Sequence, residues 1–354
     1  MDFSFNDDQE AIKTLARRIF SDHVTAETQE KSALDGGWDP HLWQLLADSE
    51  LLGLGLPETV GGAGLGIMEL CILLEQAGAA AAPIPLWSTL MLGAYPIAAF
   101  GDQAQQAEWL PGLLRGEYFI SGAFSSGAPL RVENKGGMYR LSGIRDGIAM
   151  GHVAKRVVIP TPEGVFLVDP TCDQITHEMQ VGTNGMPYAR LTMNGVLGEW
   201  LTGPEAIPLM EDTAQVGLCA LILGLAQKAL RLTAQYTTER HQFGQPIATF
   251  QAVSQRAGDA YIDVESIRLP LWRAAWMLSE KRDARREVAV AALFAADGSH
   301  RVVCAAQHLH GGMGFVCDYP LHRYFLWAKQ MEFLAGGASS TLARLGEMVA
   351  GDGR

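Results

Sequence analysis

The stretch Arg240-His241-Gln242-Phe243-Gly244-Gln245-Pro246-Ile247, followed by Phe250-Gln251, decides the fold of this chain. Gly244 and Pro246 both interrupt a helix, so the segment predicts a turn that presents Arg240 at a helix end. The planar guanidinium of Arg240 matches a pair of pyrophosphate oxygens, and the amide of Gln251 can hydrogen-bond an adenine or a ribose. The alternative is an exposed turn between two helices that carries a solvated arginine.

The composition narrows the class of protein. With 354 residues the chain can bury a large core and suits two or three domains. Hydrophobic residues make up 48% and charged residues 19%, which indicates that part of the surface is covered in an oligomer. The net charge of −12 argues against a nucleic-acid partner, whose phosphates require a basic surface.

The sequence shows no clear signal peptide, membrane span or metal-binding motif. The acidic start, residues 1–8, lacks the basic and apolar regions of a signal peptide, and no run of eighteen apolar residues is free of a charged or polar break. We therefore expect a cytoplasmic protein that does not enter a membrane. Scattered cysteines without CxxC spacing indicate reduced thiols, with neither a disulfide framework nor a metal site. They are Cys71, Cys172, Cys219, Cys304 and Cys317.

The residue patterns divide the chain into three domains, 1–117, 118–205 and 206–354. Helical spacing dominates the first domain, where Asn6 with Gln9 predicts a capping box at the start of a helix. The middle domain contains short alternating runs between Gly, Pro, Asn and Asp, which predict a small, mostly antiparallel β domain.

Four segments of the middle domain predict strands, namely 139–142, 155–159, 165–168 and 189–193. Helical patterns return after residue 206. They cover 215–240, a long stretch after Phe250 that contains Pro270, and two final helices. We describe this last domain as a four-helix bundle.

The opening stretch resembles the R-x-Q-F-G-x-P-I…F-Q segment of the acyl-CoA dehydrogenases, flavoenzymes that desaturate acyl-CoA thioesters. Further segments resemble family motifs in the same order along the chain: Leu52–Glu58 with Gly61-Gly62, Glu108–Glu117, and His310–Phe315 with Asp318–Leu321. The resemblance runs nearly end to end. It implies an α+β, mainly α fold with an N-terminal helical domain, a middle β domain and a C-terminal helical bundle.

In this family each FAD bridges two subunits, and one subunit holds the adenosine-pyrophosphate arm of the cofactor bound by its neighbour. The resemblance implies that a set of polar and glycine residues of this chain binds that arm. The set is Arg240, Gln242, Phe243, Gln251, Gln307, His308, Gly311 and Gly312. The family's glutamine usually stands where His308 stands here, and Gln307 is one place away.

The family's catalytic base is missing from both of its usual positions. Counting from the Tyr319-Pro320 segment places one position at Ala335, and counting back from Arg240 places the other at Ala214. A methyl group cannot accept a proton. Glu211 lies one helical turn before Ala214 and is the alternative base, although an acidic first turn of a helix also explains it.

The groups that hold the flavin ring in the family are also missing. The loop that resembles T-E-P-x-A-G-S-D reads Ala123–Pro129 and keeps little of that pattern. The W-x-T position reads Gly147-Ile148-Ala149, without the stacking ring and the hydroxyl. This chain therefore retains groups that serve a neighbour's cofactor and lacks those that would serve its own.

We interpret the chain as the non-catalytic subunit of a heterotetrameric acyl-CoA dehydrogenase, with no catalytic residue of its own. It would share FAD with a second acyl-CoA dehydrogenase chain that binds most of the acyl-CoA substrate. The segment Tyr319–Gln330 resembles the degenerate subunits of family enzymes that act on bulky steroid side-chain CoA thioesters, which implies a steroid or other bulky acyl group. Two alternatives are a self-sufficient homo-oligomer that uses Glu211 and a flavin-free acyl-CoA-binding scaffold. His308 and His310 point to different faces of a helix, so no metal site is expected.

Overall fold

The computed structural model describes residues 4–123 and 127–351, and it confirms the order helices, sheet, helices. The first helical region contains α1 (Asp7–His23), α2 (Ala26–Leu34), α3 (Pro40–Asp48), α4 (Ile67–Ala80), α5 (Tyr95–Phe100) and α6 (Gln103–Leu114). A π-helical segment, Ser88–Ala94, leads directly into α5. The α+β, mainly helical class is thus confirmed.

Local capping explains where two of these helices begin. At the start of α1, Asn6 Oδ1 accepts from the Gln9 N–H at 2.8 Å, and Gln9 Oε1 accepts from the Asn6 N–H at 3.1 Å. This is the predicted capping box. Before α3, Asp39 Oδ1 accepts from the Leu42 N–H at 3.0 Å, and Pro40 occupies the first turn, where a missing N–H costs nothing.

The middle region forms one seven-stranded sheet. Its strands are β1 (Ile120–Gly122), β2 (Arg131–Lys135), β3 (Met138–Ala149), β4 (Arg156–Thr161), β5 (Gly164–Val168), β6 (Ile175–Val181) and β7 (Pro187–Thr202). The long β7 pairs with β3 along one edge, and with β6 and then β5 along the other. All pairs are antiparallel except β1 with β4. The predicted antiparallel β region and its four strand segments are confirmed.

Five helices follow the sheet. They are α7 (Ile207–Glu239), α8 (Gln251–Ser279), α9 (Arg285–His310), α10 (Leu321–Leu334) and α11 (Gly337–Gly351). Pro270 lies inside α8, as expected. Three helices follow α8, whereas two were expected. The last helical stretch is divided because Gly336 and Gly337 have φ of 89° and 72°, which a right-handed helix cannot contain.

The described residues form two compact units. One comprises the segment ending at Thr28, Cys71–Ala82 and the chain from Gln215 onward; the other comprises Gln29–Leu70 and Pro83–Ala214. In the first unit, α4 and α7 pack backbone to backbone. A Cβ added at Gly78 would lie 2.0 Å from the Leu221 carbonyl oxygen, and one added at Gly224 would lie 2.0 Å from the Glu75 carbonyl oxygen.

Two helical stretches, 204–239 and 285–315, have the length and apolar composition of a membrane span. In the structure 72% and 61% of their most apolar windows are buried. Buried side chains run along the whole of α9, from Val288 to Ala306. These stretches are therefore core helices of the fold.

Candidate cofactor-binding site

The stretch that begins at Arg240 forms a tight hairpin at the end of α7. The strands β8 (His241–Gln242) and β9 (Gln245–Pro246) pair antiparallel, with Phe243 and Gly244 as the loop. These two residues have φ of 56° and 82°. A two-residue loop with positive φ at both positions has the twist that paired antiparallel strands require. The predicted turn at a helix end is confirmed. The two short strands that flank it were not predicted.

The backbone of Arg240 is fixed on both sides, whereas its side chain is available. Its N–H donates to the Tyr236 carbonyl at 2.8 Å, and its carbonyl accepts from the Ile247 N–H at 2.8 Å. The guanidinium is exposed. Within the described ranges, 4–123 and 127–351, it makes no ion pair or side-chain hydrogen bond. An arginine whose backbone is held by hydrogen bonds and whose guanidinium is unpaired is suited to recognise an anionic group.

The start of α8 adds a second positive feature beside the hairpin. Gln251 is the first residue of this 29-residue helix, and the preceding Phe250 makes no side-chain cap. The first turn contains no acidic residue. The N–H groups of Val253 and Ser254 donate to the Phe250 carbonyl. This leaves the N–H groups of Gln251 and Ala252, at the positive end of the helix dipole, available to an anion. The exposed Gln251 amide lies at the same place.

The hairpin loop presents an aromatic ring to solvent. The side chain of Phe243 is 93% exposed, and its ring meets Phe250 edge to face at 6.1 Å. Gln242, also exposed, donates from Nε2 to the neighbouring His241 carbonyl at 2.7 Å. A phenylalanine that is exposed to water and has a positive φ does not stabilise the fold of the chain by itself. This loop therefore has the features of a binding surface.

The end of α9 supplies the remaining predicted residues. Gly311 ends the helix at φ 58° and ψ −134°, a conformation that side chains with a Cβ avoid. No heavy atom lies within 4 Å of a Cβ built on Gly311 or Gly312. The turn Gly311–Phe315 is thus an open backbone surface, shaped by Gly311 and accessible at Gly312.

Gln307 and His308 point in different directions. His308 is exposed, whereas Gln307 is half-buried beneath the turn, where a Cβ on Gly314 would lie 3.0 Å from its Cδ. The Oε1 atom of Gln307 is buried and has no hydrogen-bond partner among the described residues. A buried acceptor without a donor is costly, which fits a ligand that donates a hydrogen bond there.

The structure reveals a cluster of three rings between these two segments. His310 is 3% exposed and stacks on Tyr236, with ring centroids 4.4 Å apart and planes at 20°. Tyr319 meets the same imidazole at 5.2 Å. Burial lowers the pKa of His310 and raises that of Tyr319. Tyr236 was not among the predicted site residues, although its place one helical turn before Arg240 is a usable signal.

These observations test whether the residues present fit the adenosine-pyrophosphate arm of FAD. The arm requires cations and N–H donors for two phosphates, a close backbone approach, and polar groups for the adenosine. Arg240 with the start of α8, the open Gly311-Gly312 turn, and the amides of Gln251 and Gln307 have these properties. The residues therefore fit the arm, while the role of each one remains a prediction.

The two positions at which the resemblance implies a catalytic base are both buried. Ala335 ends α10 and is 6% exposed, and Ala214 in α7 is fully buried. The Trp87 indole Nε1–H donates to the Ala214 carbonyl at 2.9 Å. Glu211 is half-buried near the start of α7, and within the described ranges its side chain makes no hydrogen bond or ion pair.

The sheet carries the positions that would face a flavin ring. Gly147 lies in β3 at φ 67°, with no heavy atom within 4 Å of a built Cβ, whereas Ile148 and Ala149 are buried. Open space thus stands where the family has a stacking indole. Of the degenerate loop, residues 124–126 lie outside the described ranges.

Comparison with known proteins identifies the fold and its relatives. The pattern of the acyl-CoA dehydrogenase N-terminal domain matches residues 6–117, and that of the C-terminal domain matches residues 212–349. Acyl-CoA dehydrogenase FadE27 of Mycobacterium tuberculosis is 34% identical over 99% of both chains.

Two solved structures with similar chains contain paired proteins. A chain of a variant of the Tcur3481-Tcur3483 steroid ACAD superposes with a TM-score of 0.94 at 37% identity, covering 98% of this chain and 99% of that one. A chain of the ChsE4-ChsE5 complex from Mycobacterium tuberculosis gives 0.95 at 32% identity, covering 99% of both.

Proposed function

Because the chain belongs to the acyl-CoA dehydrogenase family, we propose that it is a subunit of an FAD-dependent dehydrogenase whose flavin ring and catalytic base lie in a partner chain. This subunit binds the adenosine-pyrophosphate arm of the partner's FAD. The observation that carries the proposal is the combination of Arg240, whose guanidinium has no partner among the described residues, with an open glycine turn, while both predicted base positions are buried alanines.

The groups present in this chain determine which part of the reaction it supports and which part is assigned to the partner. When bound, FAD accepts a hydride from the β-carbon of the acyl group as a base removes the α-proton. The groups of this chain that fit FAD bind the part remote from that chemistry. They stabilise the cofactor by phosphate and adenosine contacts: Arg240, Gln242, Phe243, Gln251, Gln307, His308, Gly311 and Gly312. Substrate binding and proton transfer are assigned to the partner.

The similar structures of paired chains support a heterotetramer with a second acyl-CoA dehydrogenase chain. One of them is described as a steroid ACAD, which supports a bulky, steroid-like acyl group as the substrate class. We further propose the domain boundaries 1–117, 118–205 and 206–354, which follow the change from helices to strands and back.

The test is co-expression of this chain with acyl-CoA dehydrogenase chains of the same genome, followed by measurement of mass and bound flavin. The expected product contains both chains and one FAD for each pair. The chain expressed alone should contain no flavin, because the groups that hold the ring are absent.

Two outcomes would replace this proposal. Flavin and turnover in the chain alone, abolished in Glu211→Gln, would establish a self-sufficient dehydrogenase. Absence of flavin from every paired complex would instead indicate an acyl-CoA-binding scaffold. In the proposed enzyme, Glu211→Gln leaves the turnover of the complex unchanged.

A further inference from the structure

We propose that Tyr236, His310 and Tyr319 form a positioning cluster that sets the affinity for the FAD arm through the two segments it joins. One segment is the Arg240 hairpin and the other is the Gly311-Gly312 turn. The inference rests on the proposed function of these segments. None of the three rings is assigned a contact with the cofactor.

The stacked pair joins the segments directly. Tyr236 lies in the last turn of α7, and its carbonyl accepts from the Arg240 N–H at 2.8 Å. His310 is the last residue of α9, immediately before Gly311. The 4.4 Å separation of the two rings therefore holds the start of the hairpin against the start of the glycine turn.

Hydrogen bonds fix the orientation of the imidazole. His310 Nδ1 lies 2.8 Å from the Ala306 carbonyl oxygen, which can only accept, so Nδ1 carries the proton. In the neutral ring Nε2 is then the acceptor, and the Tyr319 hydroxyl donates to it at 3.1 Å. The buried ring thus has both nitrogens satisfied, with its plane set by α9 on one side and by Tyr319 on the other.

Tyr319 fastens the chain after the glycine turn. Its N–H donates to the Val316 carbonyl at 3.1 Å, and its ring lies 6.2 Å from that of Tyr236. The turn is therefore held at its start by His310 and beyond its end by Tyr319. Recognition of phosphate oxygens by several donors requires placement within about 0.5 Å, so loosening this cluster weakens binding without removing a ligand contact.

The experiment uses FAD titration of the purified two-chain complex, with assembly checked by mass. Tyr319→Phe removes one hydroxyl, and Tyr236→Leu removes the stacked ring. We expect each to weaken FAD binding about three- to tenfold, the range of one lost hydrogen bond or aromatic pair. Tyr236→Phe retains the ring and should recover the affinity that Tyr236→Leu loses.

A matched control separates positioning from general stability. The Tyr324 side chain is buried, and its hydroxyl, like that of Tyr319, makes one part-buried hydrogen bond, donated to the Ala79 carbonyl at 3.0 Å. Tyr324→Phe deletes the same group and should lower the melting temperature by a similar amount as Tyr319→Phe, with FAD affinity unchanged. Equal losses of affinity in the two variants would overturn the positioning role.

A double variant tests whether Tyr236 acts through Arg240, whose N–H donates to the Tyr236 carbonyl. If it does, Arg240→Ala with Tyr236→Leu binds FAD about as weakly as Arg240→Ala alone, whereas independent effects would multiply. Unchanged binding in Arg240→Ala would refute the proposed function itself. Weakened binding in Arg240→Ala, with normal binding in Tyr319→Phe and Tyr236→Leu, would refute only the positioning cluster.

Discussion

The indole Nε1–H of Trp87 donates a 2.9 Å hydrogen bond to the carbonyl oxygen of Ala214, and both residues are buried. Ala214 is one of the two positions at which the family resemblance implies a catalytic base. Its carbonyl already accepts a hydrogen bond, and its methyl group is fully buried. This environment stabilises the fold and offers no stabilisation to a carboxylate.

Restoring a carboxylate at this position should damage the protein. We expect Ala214→Glu to destabilise folding by about 3 kcal/mol or more, because it overpacks the core and buries a polar group. No dehydrogenase turnover should appear in the chain alone. Thermal unfolding and turnover assays check both results, and Ala234→Glu, on the exposed face of the same helix, should change stability by about 0.5 kcal/mol at most. Turnover in Ala214→Glu would contradict the assignment.

Arg240→Ala should weaken FAD binding to the two-chain complex by about 1.5–3 kcal/mol, the value of a charge-assisted contact. That loss corresponds to roughly ten- to a hundredfold in affinity. Arg240→Lys should recover only part of it, because an ammonium cannot reproduce bidentate geometry. FAD titration measures the effect, with Arg18→Ala, an exposed arginine of α1, as the control. A complex that dissociates in Arg240→Ala would point to a structural arginine.

The two glycines of the turn should behave differently. Gly311→Ala forces a side chain into φ 58° and ψ −134°, and we expect a loss of about 1–3 kcal/mol in stability. Gly312→Ala places a methyl group in open space and should leave the melting temperature nearly unchanged. If the FAD phosphates approach this backbone closely, Gly312→Ala still lowers the affinity. Unchanged affinity would remove Gly312 from the site.

The buried carboxyl of Glu75 should make stability depend on pH. Burial raises its pKa, against the opposing effects of the Gln227 hydrogen bond at 2.9 Å and of Arg268 at 4.0 Å. The folded state therefore binds the proton more tightly than the unfolded chain, and this contribution to stability is lost as pH rises from about 4.3 through the raised pKa.

Glu75→Gln, which retains a polar partner for Gln227, should reduce this fall in stability. Melting temperatures of both proteins between pH 4.5 and 8 check the prediction, since other titrating groups cancel in the difference. Parallel curves would show that Glu75 does not titrate differently in the folded and unfolded states.

Much of the architecture could be predicted because its causes act over a few residues. The capping box requires only that Asn6 and Gln9 stand three residues apart. The turn requires a residue that adopts a positive φ, and Gly244 does so readily. Strand segments were recognisable by alternation, and the degenerate base positions by counting from motifs. The division of the last helical stretch was missed, since a Gly-Gly pair alone does not show which backbone conformation it adopts.

The sequence by itself determined the fold class, the hairpin position and the presence of alanine at both predicted base positions, because each follows from local residue types and their spacing. Only the tertiary structure decided that Tyr236 stacks on His310, that Gln307 lies under the turn while His308 faces solvent, and that the Trp87 indole donates to the Ala214 carbonyl. These relationships join residues from separate helices or depend on which side of a helix is buried. Packing sets them, and no local spacing encodes them.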